Sequence, residues 1–154
     1  MLKNAFQRLV GSKEQIKTYE LIRLQAKTYR SLKNYFNTKL QVEKLSSLEW
    51  SVMGLIHKTD NGLRFIEIAQ RMGVEPPFVT ELISRLEKQK LVRTMDNPQD
   101  KRAKIVQLTE KGEKKLSSVE QNLEAKITNL FSDISANEWQ AYRNVMEKIA
   151  GMEK

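Results

Sequence analysis

The 154-residue chain contains no cysteine and a single histidine, His57, so several kinds of chemistry lack their usual side chains. Without thiols we expect no disulfide, no thiolate zinc site, no iron–sulfur cluster and no cysteine nucleophile. One histidine is too few for a histidine metal cluster, and it leaves most nucleophile–base relays without a base. The sequence also has no phosphate-binding loop. These absences predict a protein that is not an enzyme and that carries no cofactor or metal.

Long apolar runs are also missing. The longest stretch without a polar residue covers about five residues, 52–56, which is too short to span a bilayer or to form the core of a signal peptide. The composition, 40% hydrophobic and 30% charged, fits a helix-rich globular chain, and its length makes one domain the default. We therefore expect a cytoplasmic protein without a membrane partner.

Basic residues are in excess, 27 against 19 acidic ones, and the formal net charge of +8 makes a polyanion the first partner to consider. The excess is uneven, because residues 1–45 carry +7 whereas residues 116–154 carry −2. On a helical wheel the basic residues of this region lie on one face of an amphipathic helix. We interpret that face as solvated; the alternative is that it contacts DNA directly. The apolar side of this helix comprises Ile16, Tyr19, Ile22, Ala26, Tyr29, Phe36 and Leu40, and Lys17, Arg23, Lys27 and Arg30 lie opposite.

Capping and turn signals indicate three helices in the middle of the chain. The first is predicted over residues 46–58, because it opens with a capping-box spacing. A short second helix over 64–72 ends at Gly73, since glycine takes the left-handed cap without strain. A third begins at two prolines and covers residues 76–89. The second helix is expected to bury Phe65, Ile66, Ala69 and Met72, and the third Val79, Leu82, Ile83 and Leu86.

Two strand-like runs, residues 91–95 and 104–108, flank a charged, turn-forming tip at 96–103 and predict a small β-hairpin. Apolar residues at helical spacing then predict a long helix from 109 to about 133. A second capping-box spacing opens a final helix at Ser135. The expected fold is mainly α-helical with one small hairpin.

The short helix, its glycine turn and the following helix make a helix-turn-helix candidate. The major groove of B-DNA admits one helix, whose first exposed residues reach base edges. Arg85 can donate to guanine through two N–H groups, and Glu81 can accept from cytosine N4. The hairpin places cations where a wing meets phosphates or the minor groove. The candidate DNA-facing residues are Pro77, Thr80, Glu81, Ser84, Arg85 and Lys88 on the helix, and Lys101, Arg102 and Lys104 on the hairpin.

Three segments resemble the core signature of MarR-family transcriptional regulators. They are residues 85–92, residues 97–102 with their Asp-Lys-Arg end, and residues 108–112, Leu-Thr-Glu-Lys-Gly. The resemblance implies a homodimeric bacterial regulator that binds double-stranded DNA at a pseudo-palindromic operator. We expect it to be a repressor and not an activator. The resemblance also implies that Asp100 orients the wing and that Arg102 enters the minor groove. Many relatives bind a small aromatic or amphipathic effector, which here would bind non-covalently because the chain has no cysteine.

The same resemblance implies that the single domain contains a DNA-binding part and a dimerisation part. It implies a winged helix-turn-helix lobe over residues 46–108, flanked by helices that form the dimer interface. The recognition helix would cover residues 76–89 and the wing residues 91–108. The dimerisation helices would cover residues 12–44 and 109–152.

Three positions depart from the family pattern. Lys90 stands where glycine is usual, so the turn before the hairpin needs another solution or a strained φ angle. Thr94 stands where arginine is usual, which weakens one expected wing or phosphate contact, and the neighbouring Arg93 is a candidate to replace it. Pro76-Pro77 leaves fewer N–H groups at the start of the recognition helix for binding phosphate.

Several residues have a simpler interpretation beside the functional one. Tyr29, Phe36, Trp50 and His57 are candidates for an effector pocket, but the aromatics also suit core or interface packing and His57 suits a helix C-terminus. Arg85 can pair with Glu81 on a solvated helix face. The alternative function is a winged-helix module that binds another protein, because acidic residues dilute the positive face of the third helix.

Overall fold

A computed structural model describes residues 17–97 and 100–151, without the side chains of residues 18, 100–102 and 125. Among the described helices, none is both long enough and apolar enough to cross a membrane. The chain divides after Ser51 into two compact units, and the boundary falls inside a helix. In chain order the elements are α1 (Thr18–Leu40), a 3-10 helix (Gln41–Glu43), α2 (Ser47–His57), β1 (Leu63–Arg64), α3 (Phe65–Met72), α4 (Pro76–Lys88), β2 (Val92–Asn97), β3 (Asp100–Leu108), α5 (Glu110–Leu130) and α6 (Ala136–Ala150).

In the first unit, the predicted amphipathic helix is α1. Leu40 at its end is fully buried, whereas Tyr19, Ile22 and Tyr29 of the predicted apolar side are 63%, 66% and 54% exposed. Ile16, at the start of that side, lies outside the described residues. The N-terminal part of α1 therefore presents apolar side chains to solvent within a single chain.

In the second unit, α4 follows its sequence pattern closely. All four residues predicted to be buried, Val79, Leu82, Ile83 and Leu86, are at most 1% exposed. The prediction for α3 was partly wrong, because Ile66 is 45% exposed and Ile68 is fully buried. A helix of eight residues makes only two turns, so its apolar pattern fits more than one inward face, and packing against α4 and the sheet selects it.

The predicted hairpin is part of a three-stranded antiparallel sheet with the order β1-β3-β2. The two-residue strand β1 was not predicted; in it Leu63 pairs with Val106 of the central strand. The predicted tip at 96–103 was also wrong in its bounds, because residues 96–97 belong to β2 and residues 100–103 to β3. Asp96 lies opposite Lys104 and forms an ion pair with it, so opposite charges support strand pairing where composition suggested a loop.

Two helices of the second unit begin with a carboxylate that accepts from the backbone in front of it. The Arg64 side chain and amide both donate to Glu67 and lower the pKa of its carboxyl group. The Ser135 hydroxyl and amide do the same for Glu138, whose pKa is also lowered. Because each pKa is lower in the folded state, these contacts stabilise the fold above the ordinary carboxyl pKa and are lost as the pH falls through the lowered value.

The end of α4 adopts the strained turn that Lys90 predicted. Lys90 has φ +61°, in the left-handed region that glycine adopts at lower cost. The Lys90 amide donates to the Glu87 carbonyl at 2.8 Å, and the Leu91 amide to the Leu86 carbonyl at 3.0 Å. These two bonds form a Schellman motif that ends the helix with a lysine in the glycine position.

We expect Lys90→Gly to raise the free energy of unfolding by about 1 kcal/mol, because glycine removes the left-handed strain. Thermal denaturation followed by circular dichroism measures the change. Lys88→Gly is the matched control, since it places glycine inside the same helix and is expected to lower stability by about 1 kcal/mol. A lower melting temperature for Lys90→Gly would contradict the strain argument.

Candidate nucleic-acid interface

The outward face of α4 holds all six helix residues that the sequence predicted to face DNA. Arg85 is partly exposed, and the other five, Pro77, Thr80, Glu81, Ser84 and Lys88, are exposed. The buried stripe on the opposite side fixes the rotation of the helix, so this face cannot turn inward without emptying the core. The arrangement presents hydroxyl, carboxylate and guanidinium groups on one rigid surface.

Arg85 and Glu81 form an ion pair on this face. The Arg85 Nη1 and Glu81 Oε1 atoms lie 3.4 Å apart, one helical turn from each other. Their side chains are 42% and 68% exposed, so the pair is solvated and contributes little to stability. A pair of this kind can be exchanged for a base edge at low energetic cost, and until then it holds the guanidinium against the helix.

The first turn of α4 offers few free amides. Its first two residues are Pro76 and Pro77, which have no N–H group. The Phe78 amide donates to the Glu75 carbonyl at 3.0 Å. With Glu75 also carrying a negative charge in front of the helix, this N-terminus is poorly suited to binding phosphate. Contacts from α4 to DNA therefore have to come from its side chains.

The wing is formed by β2 and β3, whose cations are partly paired. Lys104 pairs with Asp96 across the two strands, and the Arg93 Nη2 atom donates to Gln107 Oε1 at 3.0 Å. The backbone of residues 100–102 begins β3, whereas the side chains of Asp100, Lys101 and Arg102 lie outside the description. The predicted role of Asp100 in orienting the wing, and the predicted DNA contacts of Lys101 and Arg102, stay predictions.

Thr94 occupies the place on β2 where the family resemblance expects arginine. Thr94 as a whole is partly exposed, but its hydroxyl oxygen is buried and has no hydrogen-bond partner among the described residues. Thr94 lies opposite Val106 of the central strand. The structure therefore places Thr94 within the sheet and not at a charged surface.

The first turn of α5 contacts the end of α4, which sequence reasoning did not foresee. We call Thr109, Lys111 and Gly112 the α5 clamp. Thr109 Oγ1 donates to the Lys90 carbonyl at 2.7 Å and accepts from the Gly112 amide at 3.0 Å. The Lys111 ammonium donates to the Gln89 carbonyl at 2.7 Å. These residues belong to the Leu-Thr-Glu-Lys-Gly segment, which carries part of the family resemblance but did not predict these contacts.

The four candidate effector residues lie in different surroundings. In the first unit, the rings of Phe36 and Trp50 are 5.4 Å apart, and Lys33 lies 5.8 Å from the centre of the half-exposed Tyr29 ring. In the second unit, His57 Nδ1 lies 2.7 Å from Glu113 Oε2. A shallow depression of about 430 Å³ in the first unit has none of the four in its lining, which is Asn37, Thr38, Gln41, Lys44, Leu45 and Ser46.

Two helices joined by the Gly73 turn, followed by an antiparallel hairpin, form a winged helix-turn-helix fold, which many DNA-binding proteins use. The model of the MarR family matches residues 45–104, which include α2, the helix-turn-helix and the start of the wing. Over these residues the chain is similar to the MarR family of transcriptional regulators.

The chain is also similar to individual transcriptional regulators and solved structures. The HTH-type transcriptional regulator MhqR from Bacillus subtilis (strain 168) is 25% identical over 134 residues, which are 86% of this chain and 91% of that protein. CouR from Rhodococcus jostii RHA1, bound to p-coumaroyl-CoA, has a TM-score of 0.80 at 22% identity and covers 92% of this chain and 98% of its own. A MarR mutant from E. coli complexed with operator DNA has a TM-score of 0.76 at 19% identity, covering 94% and 96%. At these identities the two structures establish the shared fold.

Proposed function

We propose that this protein is a homodimeric, sequence-specific repressor that binds a pseudo-palindromic operator through α4 and the wing. The observation that carries the proposal is the geometry of α4, where four fully buried side chains hold the helix and six polar or proline residues face solvent. A rigid helix with hydrogen-bonding groups on its free face is what reading base edges requires. The E. coli relative complexed with operator DNA supports the same use of the fold.

Exposed apolar surface supports self-association. Ile22 of α1 is 66% exposed, and Val145 and Ile149 of α6 are 53% and 54% exposed. Apolar faces of this kind on terminal helices are typical of surfaces covered by a partner. In a two-fold dimer, two copies of α4 enter successive major grooves roughly 34–36 Å apart.

Selection of bound duplexes from a random DNA pool by the purified full-length protein tests the proposal. We expect an enriched inverted repeat whose half-sites are about 10 base pairs apart from centre to centre. Failure to enrich any sequence would contradict DNA-reading function. It would favour the protein-interaction alternative, which the Arg85–Glu81 and Lys104–Asp96 pairs support because each neutralises a cation of the candidate surface.

The wing assignment predicts the effect of Arg102→Ala. We expect weaker binding to every duplex and a smaller salt dependence, with the slope of log K against log salt reduced by about one. Fluorescence anisotropy at several salt concentrations measures both quantities. Lys114→Ala is the matched control, because Lys114 pairs with Glu110 on the surface of α5. An unchanged salt slope for Arg102→Ala would contradict the wing contact.

A small aromatic effector is the finer part of this proposal. The Phe36–Trp50 ring pair and the neighbouring Tyr35 ring, 5.5 Å from Phe36, form an aromatic cluster in the first unit that suits an aromatic ligand. CouR, a protein of the same fold, is bound to p-coumaroyl-CoA. An effector that prefers the DNA-free conformation would lower DNA affinity by its differential affinity for the two states. Anisotropy measured with and without added aromatic acid or its CoA thioester tests this part.

A further inference from the structure

The carbonyl groups of three successive residues, at the end of α4 and in the turn after it, all accept hydrogen bonds from the start of α5. The Gln89 carbonyl accepts from the Lys111 ammonium at 2.7 Å. The Lys90 carbonyl accepts from the Thr109 hydroxyl at 2.7 Å, and the Leu91 carbonyl from the Thr109 amide at 3.0 Å. The donors lie about twenty residues further along the chain, so this is a tertiary contact.

The contact lies where α4 most needs support. Lys90 has a left-handed backbone, which is strained for a residue with a side chain. The last carbonyls of a helix carry partial negative charge, so a cation placed there is favourable. The Lys111 ammonium donates to the carbonyl of the residue before Lys90, and it lies at the negative end of the helix. It therefore supports the strained turn and is itself in a favourable position.

We propose that Lys111 is a positioning residue for DNA recognition. By binding the Gln89 carbonyl it fixes the C-terminal end of α4 against α5, and the direction of the outward α4 face then depends on α5. The inference rests on the proposed function of α4 as the recognition helix. In this arrangement Lys111 contributes to affinity without touching DNA, because its ammonium is used within the protein.

Lys114 provides a matched comparison on the same helix. It carries the same charge three residues further along α5, and its ammonium pairs with Glu110 Oε1 at 2.5 Å. Removing either lysine changes the net charge equally. Of these two lysines, Lys111 donates to the end of α4, whereas Lys114 pairs within α5, so a difference between the two variants reports on the contact with α4.

The experiment compares Lys111→Met, Lys111→Arg and Lys114→Met as full-length proteins, using the duplex that the wild type selects. We expect Lys111→Met to weaken binding about tenfold, the loss typical of a charge-assisted hydrogen bond, with an unchanged salt slope. Lys111→Arg should restore affinity because a guanidinium can donate to the same carbonyl. Lys114→Met should bind as the wild type does.

A second measurement needs no DNA. Amide hydrogen exchange of the free protein should become at least about fivefold faster at Lys90 and Leu91 in Lys111→Met, and unchanged in Lys114→Met, because those two amides close the turn at the end of α4. Failure of the wild type to select any duplex would refute the proposed function, while the exchange rates would still decide whether Lys111 holds α4.

Three results would overturn the inference. A salt slope reduced by about one in Lys111→Met would identify a direct phosphate contact instead. Equal losses of affinity in Lys111→Met and Lys114→Met would identify a general charge effect. Exchange rates at Lys90 and Leu91 that match the wild type would show that Lys111 does not hold the turn.

Discussion

Replacing Gly112 with alanine is expected to destabilise the folded protein by more than about 3 kcal/mol, the range of severe steric changes in a packed structure. A Cβ atom at this position would lie 2.0 Å from the Leu91 carbonyl oxygen and 3.0 Å from its carbon. Both atoms are backbone, and the same carbonyl accepts from the Thr109 amide, so neither can move away without breaking the contact between α5 and the turn. Urea denaturation followed by circular dichroism measures the loss.

Gly54 is the matched control for Gly112. It also lies inside a helix, and nothing lies within 4 Å of the Cβ atom that alanine would add there. Gly54→Ala is therefore expected to raise stability by about 0.5–1 kcal/mol, because alanine has the higher helix propensity. If Gly112→Ala unfolded at the same urea concentration as the wild type, the close approach to Leu91 would be refuted.

Arg85→Ala is expected to relax the base preference at one position of each half-site. Loss of a bidentate contact with guanine removes about 1–3 kcal/mol of discrimination against the wrong base. The comparison of sequence logos from DNA selection, followed by affinities for duplexes with single base changes, measures the effect. Glu81→Gln removes the ion pair with Arg85 but leaves the guanidinium in place. It is therefore expected to preserve the contact of Arg85 with guanine.

Lys114→Ala serves again as the charge control for Arg85→Ala, since it removes one cation from α5 and leaves the α4 face intact. We expect its logo to match that of the wild type. The same logo for Arg85→Ala and the wild type would contradict direct base reading by Arg85. A uniform loss of affinity across all duplexes would instead assign Arg85 to the DNA backbone.

How far the sequence predicted the fold depended on the length of each element. The 13 residues of α4 carry a complete apolar stripe, and every residue of that stripe is buried. The eight residues of α3 do not, and the burial of Ile66 was predicted wrongly for that reason. The two residues of β1 carry no periodicity at all, because that strand exists only through its pairing with the central strand β3.

The candidate site divides in the same way. Exposure of Thr80, Ser84 and Lys88 followed from helical periodicity, since they lie opposite the buried stripe. The contacts of the α5 clamp did not follow from the sequence, although its residues belong to a segment that carries the family resemblance. Lys111 and the Gln89 carbonyl are separated by 22 residues, and no local pattern states which distant carbonyl an ammonium will bind.

By itself, the sequence determined which side chains are missing, the class of the fold and the face of α4 that is exposed. Absence of cysteine and near-absence of histidine are matters of composition, and the α4 face follows from a repeat of 3.6 residues. Only the tertiary structure decided how the cations are used. Lys104 pairs with Asp96 and Lys111 with a helix carbonyl because folding brings together groups that are distant in the chain. The net charge of +8 indicated a polyanion as the partner, whereas the contacts within the folded protein decide which cations can bind that partner.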